Sequence, residues 1–107
     1  MDDEKLLTID ILGRLGWMNL EVMYEGKRYP VFGYGAGRLE LLSSRFASFT
    51  LPVAPLIREV KPYLRELTEA DKITLGKFSE PYEKVDWMNK NNIDYRGLIK
   101  KGLAVII

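Results

Sequence analysis

Six residues between Lys27 and Arg45 carry the most suggestive chemistry in this sequence. Lys27, Arg28, Arg38 and Arg45 supply cations, and Phe32 and Tyr34 supply rings among them. Cations neutralise phosphates and rings stack on bases, so this set on a small sheet would form a platform for single-stranded nucleic acid. The plainer reading buries Phe32 and Tyr34 under a packed helix and leaves the arginines to solvate its rim, the commoner fate of aromatic side chains. Charge does not decide between them. The net is +1, although Lys27 to Arg65 holds seven basic residues against two acids, a local net of +5. Such asymmetry permits an electropositive face without fixing one.

A second constellation is the corner Asp94-Tyr95-Arg96-Gly97. It has the residue types of a ligand corner, but a structural role accounts for each of them. Asp94 satisfies backbone donors of the turn, Arg96 pairs with a neighbouring acid such as Asp86, and Tyr95 packs inward.

Catalysis has little to work with. There is no histidine and no cysteine, so there is no imidazole base, no thiolate nucleophile and no zinc site of the common kinds. Carboxylate-only or Mg²⁺ chemistry would remain, yet Asp2, Asp3, Glu69, Asp71 and Glu80 sit where helices start, and capping explains them. Gly33-Tyr34-Gly35-Ala36-Gly37 lacks the third glycine, the following helix and the Lys-Ser/Thr pair of a nucleotide loop, and reads as a hairpin connection. The residues therefore predict a protein that is not an enzyme and holds no cofactor or metal.

These side chains need a scaffold, and 107 residues with 47% hydrophobic content give one domain, 1–107, with a core of its own. Asp2-Asp3-Glu4 opens a helix whose apolar stripe is Leu7, Ile11 and Leu15, joined by Leu12, with Gly16 as its stop. The period then changes to two. Leu20, Val22 and Tyr24 form a strand, Glu25-Gly26 a turn, Lys27–Phe32 the partner strand and Arg38–Leu42 a third, separated by a Gly33–Gly37 turn. On this alternation Arg28, Pro30, Phe32 and Tyr34 share one face, and Pro30 demands an edge or a bulge.

Phe46 and Phe49 suit either a short helix or a strand. A short helix follows over Ala54–Val60, then one from Thr68 to about Leu75, opened by a capping box. Another is capped by Ser79, with Tyr82, Val85 and Met88–Asn89 inward and a left-handed stop at Asn91-Asn92. Leu103–Ile107 is an apolar strand that should be buried on both faces. Uncovered, it would be an adhesive edge favouring a homodimer over a monomer. The expected fold is α+β: an N-terminal helix, an antiparallel sheet of three to four strands in a partly closed, SH3-like barrel, and two or three short C-terminal helices.

Two blocks carry a resemblance. Lys61-Pro62-Tyr63-Leu64-Arg65 with Thr68-Glu69, and Asp86-Trp87-Met88-Asn89-Lys90 with Asp94-Tyr95-Arg96-Gly97-Leu98-Ile99-Lys100-Lys101-Gly102-Leu103-Ala104, are similar to the pattern KPYLR…TEEE…DWLN…DYRGLIxKGLA. That pattern belongs to a family of small uncharacterised bacterial, prophage-associated proteins. Where the family often has two histidines this chain has Asn91-Asn92, and Glu66-Leu67 replaces a longer stretch. Any histidine chemistry in relatives would have no counterpart here. The resemblance implies an accessory protein of a mobile element.

With no basic leader and no apolar run of membrane-spanning length, the expectation is a cytoplasmic protein away from membranes. Its function would be to bind a protein partner, with nucleic acid as the alternative.

Overall fold

The computed structural model describes residues 2–17, 19–41 and 54–107. Helix α1 (Asp3–Arg14) is capped by Asp2, whose carboxylate accepts the Lys5 N–H at 2.8 Å, and a 3₁₀ turn over Leu15–Trp17 ends it. Three strands follow, β1 (Glu21–Tyr24), β2 (Lys27–Gly35) and β3 (Arg38–Leu41). After a 3₁₀ turn at Ile57–Glu59 come β4 (Lys61–Leu64), α2 (Glu69–Leu75), α3 (Pro81–Lys90) and β5 (Val105–Ile106). The architecture is α+β, as expected, but the sheet has five strands rather than three or four, in the order β3-β2-β1-β4-β5. It is mixed, because β5 runs parallel to β4.

The meander is set by its turns. Glu25 and Gly26 have φ of 51° and 77°, and Ala36 and Gly37 have 53° and 78°. Two successive residues in this region match the right-handed twist of the strands they join. The second hairpin is tighter than the expected five-residue turn, and β2 runs on through Gly35.

Leu56 and Lys61 stand on opposite margins of this meander. Arg38 of β3 pairs with Leu56, and Met23 of β1 pairs with Lys61. One 3₁₀ turn spans the gap, so the sheet curls between these margins. The turn replaces the expected Ala54–Val60 helix. It is fastened where the Leu56 N–H donates to the Glu59 carboxylate at 2.8 Å.

The core lies on one face of this curled sheet. Leu7 and Ile11 of α1 pack with Leu20, Val22, Val31, Leu39, Leu41, Ile57, Val60, Leu64, Leu98 and Ala104. Two expectations about helix faces hold only in part. The inward residues of α1 are Leu7, Asp10, Ile11 and Arg14, spaced i, i+3, i+4, i+7, while Leu12 is exposed. Helix α3 turns Asn89 inward and leaves Tyr82 (64% accessible) and Val85 outside. Ser79 is one residue early: Glu80 holds the cap position, without a side-chain bond, and Pro81 begins the helix. The capping box of α2 forms as read, with Thr68 and Asp71 exchanging bonds of 2.8 and 3.2 Å. Strand β5 joins the sheet over only two residues. It is not buried on both faces, since Ile106 and Ile107 are 54% and 62% accessible.

Candidate functional site

Residues directly opposite one another in a ladder share a face, so strand register sorts the sheet's side chains. Val22 lies opposite Tyr29 and Pro62 on the core side. The outer face therefore carries Glu21 and Met23 from β1, Arg28 and Pro30 from β2, Lys61 and Tyr63 from β4, and Val105, which pairs with Tyr63. Phe32 joins them at 42% accessibility. Met23, Pro30, Tyr63 and Val105 are half-buried, while α1 packs on the opposite face.

A register shift between Val31 and Gly33 interrupts β2. This bulge inserts one residue, and beyond it the alternation reverses. Tyr34 then stands opposite the buried Leu39, on the core side and not beside Phe32 as strict alternation implies. Pro30, with no N–H to give the ladder, stands just before the bulge. This meets the requirement it placed on the strand, although β2 is central and not an edge.

Arg28 is the centre of the outer face. Its Nε and Nη2 donate to the two carboxylate oxygens of Glu21 at 3.0 and 3.2 Å, and its guanidinium lies 4.3 Å from the centroid of the Tyr63 ring. The charge is thus paired and held over an aromatic ring. Arg38 lies on the same face, across from Gly35, and donates to the Ala54 carbonyl at 2.9 Å. Lys27 sits opposite Tyr24 on the other face, exposed at the hairpin end. Arg45 lies outside the described residues. The proposed nucleic-acid set is therefore divided: Arg28, Phe32 and Arg38 share the outer face, with Arg28 and Arg38 towards opposite ends of β2, and Lys27 and Tyr34 lie on the other face. Register adds Lys61 and Tyr63, which the sequence reading missed because Pro62 hid the alternation of β4, and it sets Met23 opposite Arg28.

Comparison of the chain with family models, curated proteins and solved structures finds no match. The chemistry of the site must come from its own geometry.

The Asp94–Gly97 corner is structural in the way its residues suggest, with one change of partner. The Asp94 carboxylate accepts the N–H groups of Leu98 and Ile99, both at 2.9 Å, and Gly97 turns the chain at φ 76°. The Tyr95 hydroxyl donates to Asn89 at 2.8 Å. Arg96 pairs with Asp10 at 2.7 Å, not with Asp86.

That pairing completes a buried network. Arg14 is fully buried and donates to both oxygens of Asp10 at 2.9 and 3.0 Å, and to the Ile93 carbonyl at 2.7 Å. Its guanidinium lies 5.3 Å from the Tyr95 centroid, and that of Arg96 lies 4.5 Å away. Two arginines share one carboxylate, and all three tie the first helix to the corner. An acid and a base four apart on the same side as Leu7 and Ile11 was the signal in the sequence, overlooked because the stripe was sought among apolar residues alone.

A further ion pair joins Arg65 to Asp71 by bonds of 2.6 and 3.0 Å. The Arg65 hydrogen bonds, followed by the Thr68 N–H, hold the Asp71 carboxyl well below the usual carboxylate range. Among the described residues there is no concave pocket and no group of three acids placed around a metal position. No helix among them is long and apolar enough to cross a membrane.

Proposed function

We propose that this chain is a non-catalytic interaction module that docks a protein partner on the outer face of its sheet, as an accessory protein of a phage or other mobile element. One observation carries the docking site: Met23 and Tyr63 flank an arginine already paired with Glu21, and Pro30, Phe32 and Val105 extend the same face. Aromatic residues, methionine and arginine are the types that concentrate binding energy at protein interfaces. An arginine fixed beforehand loses little freedom when a partner covers it. The absence of histidine and cysteine supports a non-catalytic role. The mobile-element part rests on the resemblance of Val60–Thr68 and Val85–Ala104 alone.

The test is quantitative capture of bacterial proteins by the tagged chain and by Met23→Asp, Phe32→Asp and Tyr82→Asp. The two outer-face variants should lose a captured partner at least tenfold, and Tyr82→Asp, on a distant helix, should retain it. Capture that survives both outer-face changes refutes the site.

A second reading is favoured by Arg38 and Lys61, which flank Phe32 and Tyr63 on the same face. It makes the face a nucleic-acid platform. Anisotropy titration with labelled oligonucleotides at two salt concentrations discriminates: affinity that falls steeply with salt and with Lys61→Ala supports it, and no binding at low salt ends it.

A further inference from the structure

Strand β5 has an unused hydrogen-bonding edge. Leu64 pairs with Ile106 in the parallel ladder, and the Ile107 N–H donates to the Leu64 carbonyl at 2.9 Å. Successive residues of a strand direct their backbone groups to opposite edges, so Ile106 turns both its N–H and its C=O away from β4. Among the described residues no strand lies on that side. The opposite margin is treated differently, since Leu39 of β3 donates to the Pro55 carbonyl at 2.9 Å and Arg38 pairs with Leu56. Exposed edges are normally blunted by proline, lysine or a bulge. Leu103-Ala104-Val105-Ile106-Ile107 has no proline and no charge, and its last two side chains are more than half accessible.

We infer that β5 is a contact between two copies of this chain, paired antiparallel about a two-fold axis so that two five-stranded sheets join into one. The hydrogen-bonding geometry selects an extended strand as the occupant, because a helix offers no outward donor and acceptor on one residue. Charge then selects the arrangement. Lys100 and Lys101 precede each β5 and are exposed. Parallel pairing would set these lysines side by side, whereas antiparallel pairing puts them at opposite ends of the joint ladder. With Ile106 on the axis, each copy donates one bond to its mate and accepts one, the self-complementarity a two-fold contact demands. The exposed isoleucines of the two copies then cover one another. The ladder is short, so the dimer is weak, with a dissociation constant on the order of 10⁻⁴ M.

Sedimentation equilibrium of the full chain from about ten micromolar to about one millimolar, a range spanning that constant, tests this. The wild type should shift from monomer to dimer. Ile106→Pro removes the donor and Ile106→Lys charges the edge, and each should weaken association at least tenfold. Ile73→Lys, on exposed α2, should not, and neither should Phe32→Asp, which separates this contact from partner docking on the outer face. Should Ile106→Pro fail to fold, Ile106→Lys carries the test. A wild type that stays monomeric at the highest concentration overturns the inference, as does a dimer that Ile106→Lys leaves intact.

Discussion

Replacing Arg14 by methionine removes a charge and all of its donors while keeping most of the side chain's length. The site is fully buried, so no water can take over the lost bonds. The Ile93 carbonyl, held at 2.7 Å, loses its side-chain donor, which costs about 1–3 kcal/mol for a buried polar group. Asp10 keeps only its 2.7 Å bond to Arg96, a partner that is not fully buried, and its charge is poorly compensated. Breaking one side of a buried ion pair costs roughly 3–5 kcal/mol in total, a large part of the ~5–15 kcal/mol that holds a domain folded. In urea, with a slope of about 2 kcal/mol/M, the unfolding midpoint should fall by roughly 2 M. Asp10→Leu combined with Arg14→Met removes charge and counter-charge together and leaves Arg96 to turn toward solvent. The double variant should therefore cost less than the two single changes added, by about 1–3 kcal/mol. An Arg14→Met cost under about 1 kcal/mol, or strictly additive costs, would refute the claim that the three side chains act as one unit.

Acid should reveal Asp71. Its carboxyl ionises lower in the folded chain than in the unfolded one, chiefly through the Arg65 hydrogen bonds, so its contribution is complete above about pH 4 and is lost as pH falls below that. Urea midpoints followed from pH 5 to pH 2 should drop more steeply for the wild type than for Asp71→Asn; parallel curves would contradict it. Ala36 holds φ at 53° without a side chain suited to it. Ala36→Asn, giving an Asn-Gly turn with Gly37, should stabilise the chain by about 0.5–1 kcal/mol, and thermal melting that moves down instead would show that the turn is not strained.

Much of this fold is legible in the sequence, and the exceptions share physical causes. The β1–β3 meander follows from alternation and turn chemistry, and α2 follows from its Thr68–Asp71 capping box. Strand β4 was not legible, because Pro62 argues against an inner strand and only its pairing with Val22 places it there. The position of Tyr34 depends on a bulge, which is a property of two strands together and leaves no mark on one. The true stripe of α1 was hidden by charge, since Asp10 and Arg14 occupy core positions that a reading by hydropathy gives to leucines. Of the candidate site, Arg28 and Phe32 were visible on one face. Tyr63 and Lys61 could be added only by the sheet, which brings residues from a distant part of the sequence alongside them.

The link from Asp10 to Arg96 also bears on how the chain is made. Synthesis runs from the N-terminus, so Asp10 and Arg14 leave the ribosome long before Ile93 and Arg96, their partners 79 and 86 residues further on. Until then the inward side of α1 presents a carboxylate and a guanidinium that cannot be stripped of water without loss. The first helix can form early but cannot dock early. Collapse of the meander onto it must wait for the Asp94–Gly97 corner, whose emergence commits the domain at once. Nascent chains arrested before Arg96 should remain sensitive to protease, and chains arrested well after it should become resistant in a single step.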